Sequence, residues 1–248
     1  MPAYGEHSIT LASFAQIDWE IGDHSFTEAE YAVVRRVIHT TADFEYKQLI
    51  RFGNRPFEAA MKALQQQQQI VTDVSMVAAG IGSVVAKTWR SPISIAVQKA
   101  APLSATSAVN QDTLNQDTLN QDTLVDRDTS ANLADTLDRE VDGGGVTALI
   151  YTRTALGMKT CANEHPEAIF AVGNAPTALL TLCEGIARGD YRPSLVIGAP
   201  VGFINVVESK QVLADLAVPY ILVTGRKGGS AIAAAILNAL MIWAWEHS

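Results

Sequence analysis

The sequence predicts an α/β fold: a mostly parallel sheet with helices on both faces, in the Rossmann-like three-layer manner. Three observations carry this expectation. The chain closes in three units, "AIFAVGNAPTALLTLCEGIA", "SLVIGAPVGFINVVESKQVLADL" and "YILVTGRKGGSAIAAAILNALMIW", each an apolar run, a glycine-rich turn and a helical pattern. Apolar runs that are continuous, not alternating, mark strands buried on both faces, and strand–turn–helix units in succession join parallel neighbours. With 248 residues, 48% hydrophobic and 18% charged, the chain can bury one large core.

The elements follow in order. In "FTEAEYAVVRRVIH", Thr27 is placed as a helix N-cap with Glu30 three residues on, a capping box, and Phe26 and Tyr31 are spaced as a hydrophobic staple. The helix is expected from Glu28 to about His39. A second helix opens at Pro56, a residue suited to the first turn, and runs through "FEAAMKALQQQQ", its glutamines on a solvent face. "IVTDV" reads as a strand, "SMVAAGI" as a helix start and "PISIAVQ" as a strand. "ALIYTR" is a short strand or loop leading to a helix near Ala155, before the three closing units.

One segment stands apart. "NQDTLNQDTLNQDTL", Asn110 to Leu124, repeats a pentad three times. On a helix its leucines step by about 140°, and on a strand they alternate faces, so no face can be buried. The expectation is one domain over residues 1–248, interrupted by a low-complexity surface insertion at about 102–145.

Composition excludes some functions. The formal charge of −8 argues against a nucleic-acid partner. The longest apolar stretch, "AIAAAILNALMIWAW", has 15 residues, short of the ~20 that a membrane span needs, so no membrane association is expected. The N-terminus lacks a signal-peptide pattern, and Cys161 and Cys183 have neither a paired nor a metal-ligand spacing. Both thiols are expected to be packed, the location cytoplasmic, and a protein-held metal absent.

In such a sheet ligands bind beyond the carboxyl ends of the strands. The loops there, "VGNAPT", "IGAPVGFIN" and "TGRKGGS", put small residues before helix N-termini, where free N–H groups favour anions. The third adds Arg226 and Lys227. It lacks the Walker A spacing, and no G-x-G-x-x-G follows a first strand. "VVRRVIHTTADFEY" places His39 at a helix C-terminus, where the partial negative charge stabilises imidazolium, as a general acid requires. Thr40, Thr41 and Asp43 are placed to orient its ring or bond a substrate. Capping of the helix by His39 is the competing reading. His7 and His247 near the termini, and His24 and His165 in polar loops, are weaker candidates.

"RVIHTTADFEY", "TDVSMVAAGI", "YTRTA", "GNAPTALL", "GAPVGFINVVESK" and "GRKGGSAIAAAILNAL", in this order, resemble the precorrin-8X methylmutase family, also called cobalt-precorrin-8 methylmutase, of cobalamin biosynthesis. The resemblance implies an isomerase that moves a methyl group from carbon 11 to carbon 12 of a corrin precursor. The product would be hydrogenobyrinate, or cobyrinate on the cobalt route, which is slightly favoured. It implies no cofactor, any cobalt belonging to the substrate, and a homodimer that holds the corrinoid in a cleft between subunits. Its I-H motif maps onto His39 as general acid. Ser13 and Arg153 are implied substrate contacts, the latter a bidentate carboxylate clamp. Asn174, Thr177, Asn205 and the run Gly225, Arg226, Lys227, Gly228, Gly229 and Ser230 would line the loop end of the sheet. Glu208, Ser209 and Lys210 follow that end on a helix, in either a functional or a structural role. Competing readings are a corrinoid carrier without catalysis and, from the anion loops alone, a sugar-phosphate or nucleotide enzyme.

Overall fold

The computed structural model describes residues 4–100 and 152–248, so the expected insertion, with its pentad repeats, lies outside the described residues. Helix α1 (Ser8–Glu20) precedes α2 (Glu28–Thr41), the short α3 (Tyr46–Leu49), strand β1 (Ile50–Gly53) and α4 (Pro56–Gln65). Then come β2 (Ile70–Thr72), α5 (Ser75–Lys87), β3 (Ile93–Ile95) and α6 (Ala96–Lys99). After the break follow α7 (Arg153–Glu164), β4 (Ile169–Val172), α8 (Pro176–Ala187), β5 (Leu195–Gly198), α9 (Val206–Ala214), β6 (Tyr220–Val223) and α10 (Ser230–Glu246).

The six strands lie in the order β1-β6-β5-β4-β2-β3, parallel except for β1, which runs antiparallel to β6 at the edge. Along each strand, alternate residues point to opposite faces. Ile169, Ala171, Ile197, Ile221 and Val223 therefore enter the core beneath α2, α4, α5 and α10. Phe170, Val172, Val196 and Leu222 enter the core beneath α7, α8 and α9. Two cores on one sheet make the expected three layers.

Local signals read in the sequence recur here. Thr27 caps α2 and Glu30 reaches back to the Thr27 backbone N–H, completing the capping box. Between Phe26 and Tyr31, however, His24 intervenes, stacking on Tyr31 at 4.4 Å. Pro56 opens α4, but the helix stops at Gln65 and Gln67 takes a left-handed φ of 50°. The remaining glutamines do not simply face solvent. Gln67 donates to the Trp89 carbonyl at 2.9 Å, Gln68 accepts from Ser194 Oγ at 2.6 Å, and Gln69 donates to Ser94 Oγ at 3.0 Å. Helix propensity yields there to the turn that feeds β2. "PISIAVQ" is a strand only over Ile93–Ile95, because the chain turns into α6 against α7. A Cβ at Gly157 would meet the Ala96 carbonyl at 1.7 Å, which is why α6 and α7 meet at a glycine. Helix α1 and the edge strand β1 have no counterpart in the sequence reading.

Helix α10 is apolar around most of its circumference because it is wrapped by α2, α4 and α5 and lies on the sheet. It meets α5 where Gly80 and Ala234 let the axes approach, and Asn238 donates to the Gly80 carbonyl at 2.9 Å. Among the described residues no helix is long and apolar enough to cross a membrane. Cys161 and Cys183 are buried and unpaired, and burial pushes their thiols up to about 11 and about 12.

Candidate functional site

The carboxyl ends of the parallel strands carry three loops, and the packing brings them to one edge. The loop after β5 is sewn to that after β6 by backbone bonds, Gly229 N–H to the Ala199 carbonyl at 2.8 Å and Gly202 N–H to the Arg226 carbonyl at 3.3 Å. Gly228 makes this possible. Its φ is 157°, and a Cβ there would lie 2.3 Å from the Ala199 oxygen and 2.6 Å from that of Pro200. Gly228→Ala is expected to push the two loops apart, costing about 2 kcal/mol of stability and most of the activity; a thermal melt and a rate assay check both.

The loop after β4 has a different origin from the one expected. Asp73, wholly buried at the end of β2, accepts from the N–H groups of Gly173 at 3.1 Å, Asn174 at 2.7 Å and Ala175 at 2.9 Å. These are the donors that "VGNAPT" was expected to offer a ligand. The anion at the start of α8 is the protein's own, so this loop is not a free anion site at its backbone. Burial pushes the Asp73 carboxyl above the usual range, while the N–H bonds pull it down. The Asn174 side chain stays exposed at the edge. Thr177 is buried and turned away, its hydroxyl sharing a 2.8 Å hydrogen bond with Thr152. Thr152 in turn caps α7, accepting from Ala155 N–H, which sets Arg153 at that helix's first position. Thr177 thus positions Arg153 and is not exposed to a ligand. Arg153 is exposed, and its guanidinium has no hydrogen-bond or ion-pair partner among the described residues.

The end of α2 completes the edge. The helix stops because Ala42 adopts a left-handed φ of 53° and its N–H returns to the Ile38 carbonyl at 2.7 Å, so His39 is not the cap. His39 is exposed in the last turn, and the Phe14 ring of α1 meets it edge-on at 5.3 Å. Phe14 is buried under Arg35, whose guanidinium lies 4.4 Å over the ring. Thr40, Thr41 and Asp43 were expected to orient the imidazole or bond a substrate; none of them hydrogen-bonds the ring. The two threonine hydroxyls bond back to the Arg36 and Val37 carbonyls at 2.9 Å each. Ser13, beside Phe14, donates to the Ile9 carbonyl at 2.9 Å.

Asp43 instead reaches across to the β6 loop. Lys227 Nζ lies 2.5 Å from Asp43 Oδ2 and 2.6 Å from Glu45 Oε2. The Lys227 bond, followed by the Glu45 backbone N–H, holds the Asp43 carboxyl below the usual range. Lys227, expected as a cation for the ligand, already has two carboxylates and fastens the loop to the end of α2. Arg226 lies at the edge with no ion pair among the described residues, its guanidinium 5.6 Å over the Phe203 ring. Phe203 and Ile204 are 82% and 72% exposed, a large apolar surface beside a cation. Asn205, left-handed with φ 57°, starts α9 without a side-chain cap bond.

Asp73, Phe14 and Phe203 carry no role expected from the sequence, and that of Lys210 stays open there. Two signals were available. Asp73 directly follows a β-branched run and precedes a helix, the position of a loop-organising acid. Lys210 falls on the face of α9 otherwise made by Val206, Ser209 and Leu213, where a lysine is out of place. Ser209 Oγ donates to the Val206 carbonyl at 2.9 Å, a structural bond, and Glu208 faces solvent. A groove of about 600 Å³ between the N-terminal segment, α2 and α10 is walled by Tyr4, Phe14, Tyr31, Arg36 and Trp243, but not by His39. Among the described residues no three His, Cys, Asp or Glu side chains are grouped to hold a metal.

The edge assembled from these parts is a broad, open, anion-favouring surface with one histidine. Comparison with known proteins bears on what uses it. A family profile described as precorrin-8X methylmutase matches residues 8–125 and 144–243. The chain is 39% identical to a cobalt-precorrin-8 methylmutase of Synechocystis over 98% of either chain. It is 31% identical to a precorrin-8X methylmutase of Sinorhizobium over 94% of this chain and 93% of the relative. The crystal structure of a precorrin-8X methylmutase from Thermus thermophilus superposes with a TM-score of 0.72, at 33% identity and 97% coverage of each chain.

Proposed function

Because the chain belongs to the precorrin-8X methylmutase family, we propose that its open loop edge binds a corrin precursor and that His39 supplies the proton for its methyl shift. The protein is a methylmutase, an isomerase of cobalamin biosynthesis. The finer reading is migration from carbon 11 to carbon 12. It converts cobalt-precorrin-8 to cobyrinate, or precorrin-8X to hydrogenobyrinate. The cobalt route is favoured by relatives such as that of Synechocystis; the metal would enter and leave with the substrate.

The observation that carries this reading is the placement of His39. It is the one histidine on the edge where the strand loops converge, and its ring faces outward with no hydrogen-bond partner among the described residues. A sigmatropic shift needs no nucleophile. It needs a proton delivered to the conjugated ring system, which lowers the barrier for the migrating methyl and is returned afterwards. Arg153 and Arg226, which have no ion pair among the described residues, would meet the acetate and propionate groups of the macrocycle. Phe203 and Ile204 present an apolar surface to the ring face. Asn174 and Asn205 would bond the substrate at the rim, and Ser13, Thr40 and Thr41 would do so by turning their hydroxyls away from the backbone carbonyls they now meet.

Among the described residues nothing covers His39, which is exposed, and proton transfer is efficient where water is excluded. A homodimer supplies that cover, and the exposed Val201, Phe203, Ile204 and Val207 support it. Sedimentation at micromolar protein is expected to give twice the chain mass.

The deciding experiment follows visible absorption over time with cobalt-precorrin-8 and precorrin-8X, for wild type and His39→Ala. Turnover by wild type alone supports the reading; binding without spectral change in both proteins means a carrier. Arg153→Lys is expected to raise KM about tenfold with little change in kcat, since a planar fork is replaced by a point charge. An unchanged KM would remove Arg153 from the site.

A further inference from the structure

Lys210 is the charged group that the proposed reaction leaves unused and that the fold treats most strangely. It is 2% exposed on the inner face of α9, yet no carboxylate lies within ion-pair distance among the described residues. Among the described residues its ammonium donates to backbone oxygens alone, the Gly225 carbonyl at 2.7 Å and the Lys227 carbonyl at 2.8 Å. Burying a cation without a counter-charge is costly, and two carbonyl dipoles repay only part of that cost. The missing anion has a natural place.

A trans peptide unit is planar, with its C=O and N–H pointing in opposite directions. Turning the Gly225 and Lys227 carbonyls inward onto the ammonium therefore turns the N–H groups of Arg226 and Gly228 outward. Neither of these donates to a described residue. The turn depends on φ values of 72° at Gly225 and 157° at Gly228. Lys227 pins the same loop from the other side, on Asp43 and Glu45. Both peptide units thus turn their positive ends away from the ammonium, on the loop that carries Arg226.

We infer that Lys210 is a positioning residue for the methyl shift: its buried ammonium presents the Arg226 and Gly228 N–H groups to a carboxylate of the corrinoid substrate. The inference rests on the corrinoid reading of the site and adds to it the one carboxylate that is held by backbone. Lys210 itself does not touch the substrate. Its charge polarises the peptides that do, and the substrate carboxylate is the counter-charge that its pocket lacks.

A pH signature follows. Burial lowers the Lys210 ammonium from its ordinary 10.5 to about 8. The other charged or titratable groups around it are Arg51 of β1, Tyr220 of β6, Glu208 and Asp215 on or beside α9, and Arg226 and Lys227 of the loop. Lys227 is held charged by its bonds to Asp43 and Glu45. Below about 8 Lys210 is charged and the carboxylate is held. As pH rises through that value the charge is lost and the hold weakens; bound substrate, in return, raises the value.

The test measures kcat and KM for cobalt-precorrin-8 from pH 6.5 to 9.5 in wild type, Lys210→Met and Lys210→Gln. Wild-type KM is expected to rise about tenfold across pH 8, with KM of both variants high and flat and kcat changed less than KM. Lys210→Gln retains an N–H donor, so the loop keeps an anchor if the methionine variant folds poorly. If both variants fold poorly, the wild-type profile decides alone. A wild-type KM that stays flat through pH 8, or variants that keep the wild-type KM, overturns the inference while leaving the methylmutase reading intact. Absence of turnover by wild type at any pH overturns the methylmutase reading itself.

Discussion

His39→Ala is expected to lower kcat by roughly a hundredfold to ten-thousandfold, the span of a lost general acid, while the product corrinoid binds with nearly wild-type affinity. The reason is geometric. His39 projects from the last turn of α2, its ring makes no hydrogen bond to a described residue, and Ala42 ends the helix without it. Removing the ring forfeits only its edge contact with Phe14, which stays covered by Arg35. The melting temperature is therefore expected to stay within a degree or two of wild type. Rate and product affinity together decide the role. A parallel loss of both would make His39 a binding residue and would require another source for the proton.

The largest effect on stability is expected at Asp73. Its two carboxylate oxygens serve four backbone N–H groups, those of Val74, Gly173, Asn174 and Ala175. Asp73→Ala strands these donors in a dry place and is expected to cost on the order of 4 kcal/mol. For a chain of this size that is a fall in melting temperature of roughly 10 °C. Asp73→Asn keeps one acceptor oxygen but turns an NH2 group toward N–H donors, so it is expected to lose more than half as much. Turnover should fall further than stability accounts for. The β4 loop abuts the first turn of α10, where a Cβ on Gly173 would lie 2.8 Å from the Ser230 Cα, so a shift in one loop moves the next. A thermal melt and a rate measured well below the transition separate the two effects. An Asp73→Ala protein as stable as wild type would mean that water satisfies those N–H groups and that Asp73 organises nothing.

Several features were legible because they are decided locally. The Thr27–Glu30 capping box lies within one turn, Pro56 acts through its own φ, and the strands of the closing units are continuous apolar runs. The glycine loops and the position of His39 at the end of α2 could be read from neighbours a few residues away. Features that failed to show were of two kinds. Strand β1 has only four residues and takes its direction from β6, some 170 residues later in the chain. The glutamine run carries helix propensity, but its register is taken over by Trp89, Ser94 and Ser194, which the sequence does not announce.

The charges divide in the same way. By itself the sequence determined that cations and glycines follow β6, that small residues follow β4 and that a histidine ends α2, because backbone period and turn chemistry depend on adjacent residues. Which of those groups remains available to a substrate was decided only by the tertiary structure. Lys227 met Asp43 and Glu45, more than 180 residues away in sequence, and Asp73 took the donors of a loop 100 residues on. Electrostatic pairing depends on distance through space, and only packing sets that distance. Arg153, Arg226 and His39 stay available to a substrate because the fold brings no carboxylate to them among the described residues.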